Sequence, residues 1–97
     1  MKEHGIQAVV IEEIVALAKK YDLNKVILFG SRARGDYRSR SDIDLAVNGG
    51  DCIRFSLDVQ ELTSTLLFFD VVHLDGTVQK ELLDSIENEG VCIYEKI

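Results

Sequence analysis

Apolar residues recur at helical spacing near the start of the chain. Ile6, Val10, Ile14, Leu17 and Tyr21 form one stripe, widened by Val9, Ile11 and Ala18, with Glu12, Glu13, Lys19 and Lys20 elsewhere. This pattern predicts an amphipathic helix over residues 6–21. Asp22-Leu23-Asn24 closes it, and Lys25-Val26-Ile27-Leu28-Phe29 follows as a short, apolar, partly β-branched segment that reads as a buried strand. Residues 42–47 predict a second strand, with Asp42 and Asp44 on one face and Ile43, Leu45 and Val47 on the other. Asn48-Gly49-Gly50-Asp51 is a turn. Asp51 suits the N-cap of a helix over about residues 52–65, where Phe55, Val59, Leu62 and Leu66 keep the period and the β-branched Thr63 and Thr65 weaken the end. A third strand is expected over 67–74. A last helix over 78–89 turns Val78, Leu82, Leu83 and Ile86 inward, with Gly90 at the usual left-handed closing position. Residues 91–94 read as a short edge strand. Helix, strand, short helix, strand, helix, strand, helix, strand implies an α/β (α+β) fold, a mixed sheet with helices packed mainly on one face. The open face would carry Asp42 and Asp44.

Ninety-seven residues, 46% of them hydrophobic, suffice for one domain over 1–97 with its own core and leave no space for a second, substrate-clamping domain. A large acceptor must then be held by another chain or by a second copy of this one. The net charge of −6 argues against a general nucleic-acid binder. Its distribution changes that picture locally, because four of the five arginines (Arg32, Arg34, Arg38 and Arg40) lie between Gly30 and Asp42. That is where an acidic chain would place positive charge to receive a polyanion, although any single arginine of the four reads more readily as part of a solvated, charge-balanced loop. Cys52 and Cys92 lack metal-ligand spacing and read as reduced core residues. No apolar run approaches the ~20 residues of a membrane span, and Met1 to Gly5 shows no signal-peptide pattern, so a soluble, cytoplasmic protein is expected.

The chemistry concentrates between Gly30 and Val47. Gly30 ends the first strand and Ser31 suits the N-cap of a short helical turn. A corner of this kind presents backbone N–H groups that can hold a phosphate. Asp42 and Asp44 lie about 6.6 Å apart along their strand at the usual rise per residue. Asp70 interrupts an apolar run on the third strand, a place where aspartate is disfavoured. It either faces solvent on a half-exposed sheet or joins Asp42 and Asp44 on the open face. Three carboxylates so grouped repel one another unless a cation lies between them, and magnesium prefers such oxygen ligands together with substrate phosphates. His73 falls on the wrong parity for that face.

Gly30-Ser31, ten residues, then Asp42-Ile43-Asp44-Leu45 resembles the signature of the DNA-polymerase-β-like nucleotidyltransferases. Gly30-Ser31-Arg32-Ala33-Arg34-Gly35 is similar to the form found in the minimal nucleotidyltransferases of bacteria and archaea. The resemblance implies a nucleotidyltransferase-type fold and magnesium, two ions, held by Asp42, Asp44 and Asp70. It also implies that Gly30 and Ser31 contact the β- and γ-phosphates of ATP, and that Asp70 lies near the acceptor hydroxyl. Arg32 and Arg34, nearest the corner, would neutralise the leaving pyrophosphate. Minimal members commonly pair with a helical HEPN-type protein, and several pairs act as toxin and antitoxin, the small enzyme adding AMP to a tyrosine of the toxin. Two other readings compete: a non-catalytic antitoxin that blocks its HEPN partner by contact, and transfer to a small-molecule hydroxyl with a homo-oligomer supplying the missing wall.

Overall fold

Strand β1 (Lys25–Phe29) runs through the middle of the sheet in the computed structural model, which describes residues 4–97. It pairs antiparallel with β2 (Ile43–Asn48) on one side and with β4 (Val91–Glu95) on the other. β2 pairs parallel with β3 (Phe69–His73), giving a mixed sheet in the order β3-β2-β1-β4 with β3 and β4 at the edges. Between the strands lie helices α1 (Ala8–Lys20), α2 (Ser31–Arg34), α3 (Cys52–Leu62) and α4 (Lys80–Glu89).

Strand alternation decides what each face buries. Val26 and Leu28 of β1, with Ile43, Leu45 and Val47 of β2, pack against Val10, Ile14 and Ala18 of α1 and Phe55 and Val59 of α3. The other face carries a smaller cluster of Phe29 and Ala46 with Ile86 of α4, joined by Ile27, Val72 and Leu82. Two of the three long helices therefore share one face, as expected. The aspartate-bearing face is less open than its sequence implies, because α4 covers part of it. Its one apolar stripe could have packed on either side of the sheet, and periodicity does not distinguish them.

Helix ends account for the boundary differences. α1 stops in a Schellman arrangement, in which Asp22 takes φ +57° while its N–H and that of Leu23 bond the carbonyls of Lys19 and Ala18. Asp51 caps α3 as predicted, its carboxylate accepting the Arg54 N–H at 3.1 Å. α3 ends at Leu62 rather than Thr65, because Thr63 is already extended and Glu13 of α1 binds the Ser64 N–H and hydroxyl. α4 begins at Lys80, two residues later than expected, from an extended Gln79 that offers no side-chain cap. Gly90 follows α4 in an extended conformation, φ −63° and ψ 142°, not a left-handed one. Glycine is needed there for close packing: a Cβ would come within 2.3 Å of the Ile86 carbonyl oxygen and 2.6 Å of Ile27 Cγ2.

Cys52 is buried as predicted, but Cys92 is exposed on edge strand β4, and both are free thiols. Among the described residues, no helix is long and apolar enough to cross a membrane.

Candidate active site

Gly30 ends β1 with φ +75° and ψ −156°, a conformation essentially reserved for glycine. Gly30, not Ser31, is therefore the N-cap of α2, and Ser31 is its first helical residue. The first N–H groups of α2 have no upstream carbonyl within the helix to bond. The Ser31 hydroxyl has no hydrogen-bond partner among the described residues, so both kinds of donor remain available to a ligand.

The corner opens directly onto Asp44. A Cβ on residue 30 would lie 2.2 Å from Asp44 Oδ2, so the carboxylate occupies space that only glycine leaves free. Asp44 pairs with Phe29 across β1 and with Asp70 across the parallel β2–β3 ladder. Directly opposed residues of neighbouring strands point to the same face, so Asp44 and Asp70 share one. Asp42 lies one residue before β2 begins and is exposed; Asp70 is exposed on the edge strand, and Asp44 is half-buried between strands. Burial first, then the charges of Asp70 and Asp42, raise the Asp44 pKa from the ordinary 3.8 to about 6, with Arg34 and Arg32 opposing the rise.

Arg32 has a different place from the one its position suggests. It is 1% exposed, and its guanidinium is turned away from solvent. Nε donates to the Ser41 carbonyl at 3.0 Å, Nη1 to the His4 carbonyl at 3.0 Å, and Nη2 to the carbonyls of Ser39 and Arg38 at 3.3 and 3.5 Å. Tyr37 covers the guanidinium with its ring centroid at 4.8 Å and packs against Gly5. Arg32 thus fastens the 38–41 loop to α2 and does not face a phosphate; Tyr37 shields the loop. Arg34 is half-exposed and bonds Asp36 at 3.2 Å and Glu89, at the end of α4, at 2.7 Å. Both partners raise its pKa and keep it charged, so a phosphate would have to compete with two carboxylates for it. Glu89 escapes sequence reasoning altogether, since no local pattern links positions 34 and 89. His73 points away from the site, as its parity predicted, and bonds Ser56 of α3 at 2.9 Å.

Among the described residues, no three His, Cys, Asp or Glu side chains form a ready-made metal cage. Asp42, Asp44 and Asp70 nevertheless interact through their charges on one side of the sheet. An all-oxygen donor set of this kind, with the pKa of one carboxyl raised by burial and by its acidic neighbours, fits a hard divalent cation that would relieve their repulsion. Filling the corner tests its role. Gly30→Ala should lower stability by about 1–3 kcal/mol through the backbone conformation alone. It should also displace the Asp44 carboxylate and cut nucleotidyl transfer at least ~10²-fold, as read by urea titration and a transfer assay.

Residues 12–97 match the family described as Polymerase beta, Nucleotidyltransferase. "Putative protein adenylyltransferase MJ0604" of Methanocaldococcus jannaschii is 42% identical over 76 residues, covering 75% of this chain and 73% of the relative. A second protein of that organism, "Putative protein adenylyltransferase MJ0141", is 32% identical over 85 residues, covering 74% of this chain and 80% of the relative. In three dimensions the chain is similar to a crystal structure of a toxin-antitoxin with AMP-PNP, at TM-score 0.70 and 25% identity over 89% of this chain and 73% of that one. It is also similar to "Structure of putative minimal nucleotidyltransferase", at TM-score 0.65 and 28% identity over 84% of this chain and 86% of that one. With the Gly-Ser corner opening onto the paired strand aspartates, this chain belongs to the polymerase-β-like nucleotidyltransferases, among their minimal members.

Proposed function

We propose that this nucleotidyltransferase moves AMP from ATP to a hydroxyl of a partner protein, as the antitoxin of a toxin–antitoxin pair whose toxin is of the helical HEPN type. The observation that carries the reading is the register of β2 on β3, which puts Asp70 opposite Asp44 on the face next to Gly30. The relatives named as protein adenylyltransferases and the toxin-antitoxin of similar fold support the acceptor class.

Asp42, Asp44 and Asp70 would hold magnesium, which when bound neutralises the triphosphate and makes the α-phosphorus more electrophilic. Gly30 and Ser31 hold the β- and γ-phosphates through the α2 N–H groups and the Ser31 hydroxyl. The acceptor oxygen forms a bond to the α-phosphorus, and the bond from that phosphorus to the β-bridging oxygen breaks. Pyrophosphate leaves with the electron pair. The hydroxyl proton passes to Asp70, the carboxylate on the exposed edge strand, where an acceptor can reach it. Arg34 assists the leaving group by exchanging Asp36 or Glu89 for a phosphate oxygen.

Incubation with ATP labelled at the α-phosphate, magnesium and the partner protein tests the reading. Asp42→Ala should reduce label transfer at least ~10²-fold and leave complex formation intact. Undiminished transfer by that variant would remove Asp42 from the site, and a partner blocked equally well without any transfer would favour an antitoxin acting by contact.

A further inference from the structure

The strand that brings Asp70 to the site arrives along an apolar ridge that the fold does not use. Leu67, Phe69 and Val71 turn inward and pack on the main core. The alternate positions are exposed: Leu66 fully, Phe68 at 70%, then Asp70. Leu66, Phe68 and Asp70 thus follow one another on the outward side of the same segment. Phe68 also borders Asp42, because its carbonyl accepts the N–H of Ile43 at 2.9 Å. Beside this ridge Arg40 and Leu66 to Phe68 wall a mostly apolar hollow of about 390 Å³. The side chains of Arg38 and Arg40 have no partner among the described residues, in a chain of net charge −6.

We infer that this hollow docks the acceptor-bearing segment of the partner polypeptide, taking a large apolar side chain against Leu66 and Phe68 and an acidic side chain at Arg40. The inference rests on the transfer reading above and adds what the acceptor must look like around its hydroxyl. Two exposed large hydrophobics cost solubility with no return in the free chain, and they precede Asp70 by four and two residues. Arg40, a cation on the wall of the hollow in an otherwise acidic protein, selects a negatively charged visitor. A hollow walled by four residues accepts one or two side chains; a second copy of the chain would need ~800 Å² per partner for a stable dimer.

Synthetic tyrosine peptides test this with labelled ATP and magnesium. One set carries Leu and Glu beside the tyrosine, a second Leu and Lys, a third only Gly and Ser. The wild type should label the Leu/Glu set with the highest kcat/KM. In the double variant Leu66→Ser, Phe68→Ser, KM for that set should rise about tenfold or more, with kcat and ATP affinity unchanged. Arg40→Glu should switch the preference to the Leu/Lys set.

Equal transfer to all three sets, or indifference to both variants, overturns the docking site. So does weaker ATP binding in the double variant, which would assign Phe68 to the base, or a dimer in sedimentation that the double variant dissolves. A wild type that binds Mg-ATP through Asp44 but labels no peptide also overturns it, while leaving the catalytic reading standing. Mg-ATP binding unaltered by Asp44→Asn would instead overturn the catalytic reading.

Discussion

Asp44→Asn should reduce nucleotidyl transfer by about 10³-fold or more and make the metal-free protein more stable at neutral pH. The opposite signs have one cause. Asp44 is half-buried and faces two further carboxylates, so its ionised form is disfavoured and its pKa rises from 3.8 to about 6. A carboxyl whose pKa is higher in the folded state than in the unfolded one binds its proton more tightly when folded. Below about pH 4 it is protonated in both states and costs nothing. The penalty grows as pH rises from about 4 to 6 and is complete above that. The displacement corresponds to ~3 kcal/mol in a dry site, and to ~1–2 kcal/mol once solvent screening at a half-buried group is allowed for. Asparagine keeps the shape and removes the charge, so the penalty disappears along with the proposed metal ligand. Chemical denaturation in EDTA between pH 4 and 7.5 should show the wild type losing stability across that window relative to the variant. Magnesium should narrow the gap for the wild type alone, because a bound cation relieves the repulsion the substitution removes. A variant no more stable than the wild type at pH 7 in EDTA would mean that Asp44 carries no such burden.

Parts of this site are legible in the sequence because their determinants are local. Gly30, Ser31, Asp42 and Asp44 lie within fifteen positions, and strand alternation alone gives Asp44 its face. Asp70 stands differently. Its oddity within an apolar run is visible, but its place opposite Asp44 depends on the parallel register of β2 on β3, which α3 and the 63–68 connection set in three dimensions. Gly30 is readable as a break but not as an N-cap, since Ser31 fits the usual preference better. The side on which α4 packs depends on how the chain crosses from edge strand β3 to the opposite edge at β4. The Arg34–Glu89 pair follows from that crossing and has no local signature.

Arg32 is the largest departure from what position alone implies, and it carries the second large expectation. An arginine directly after the Gly30-Ser31 corner invites assignment to a phosphate, and its neighbours Arg34, Arg38 and Arg40 are all exposed. Its burial comes from carbonyls that no short window contains: His4 from the N-terminal segment, and Arg38, Ser39 and Ser41 from the loop leading to Asp42. A guanidinium supplies enough donors in one plane to bind all of them together, whereas lysine offers three from a single point. Arg32→Ala should therefore destabilise the chain by about 3 kcal/mol or more, combining the cavity left by a fully buried side chain with orphaned carbonyls. Arg32→Lys should recover only part of this. Trypsin supplies a local readout, because Arg38 and Arg40 lie in the loop that Arg32 holds. Cleavage there should accelerate at least ~10-fold in Arg32→Ala even at denaturant concentrations where the core stays folded. Loosening the loop also frees Asp42, so transfer should fall through kcat, with little change in ATP affinity. A stable Arg32→Ala protein with a raised KM for ATP would reverse the assignment and return this arginine to the triphosphate.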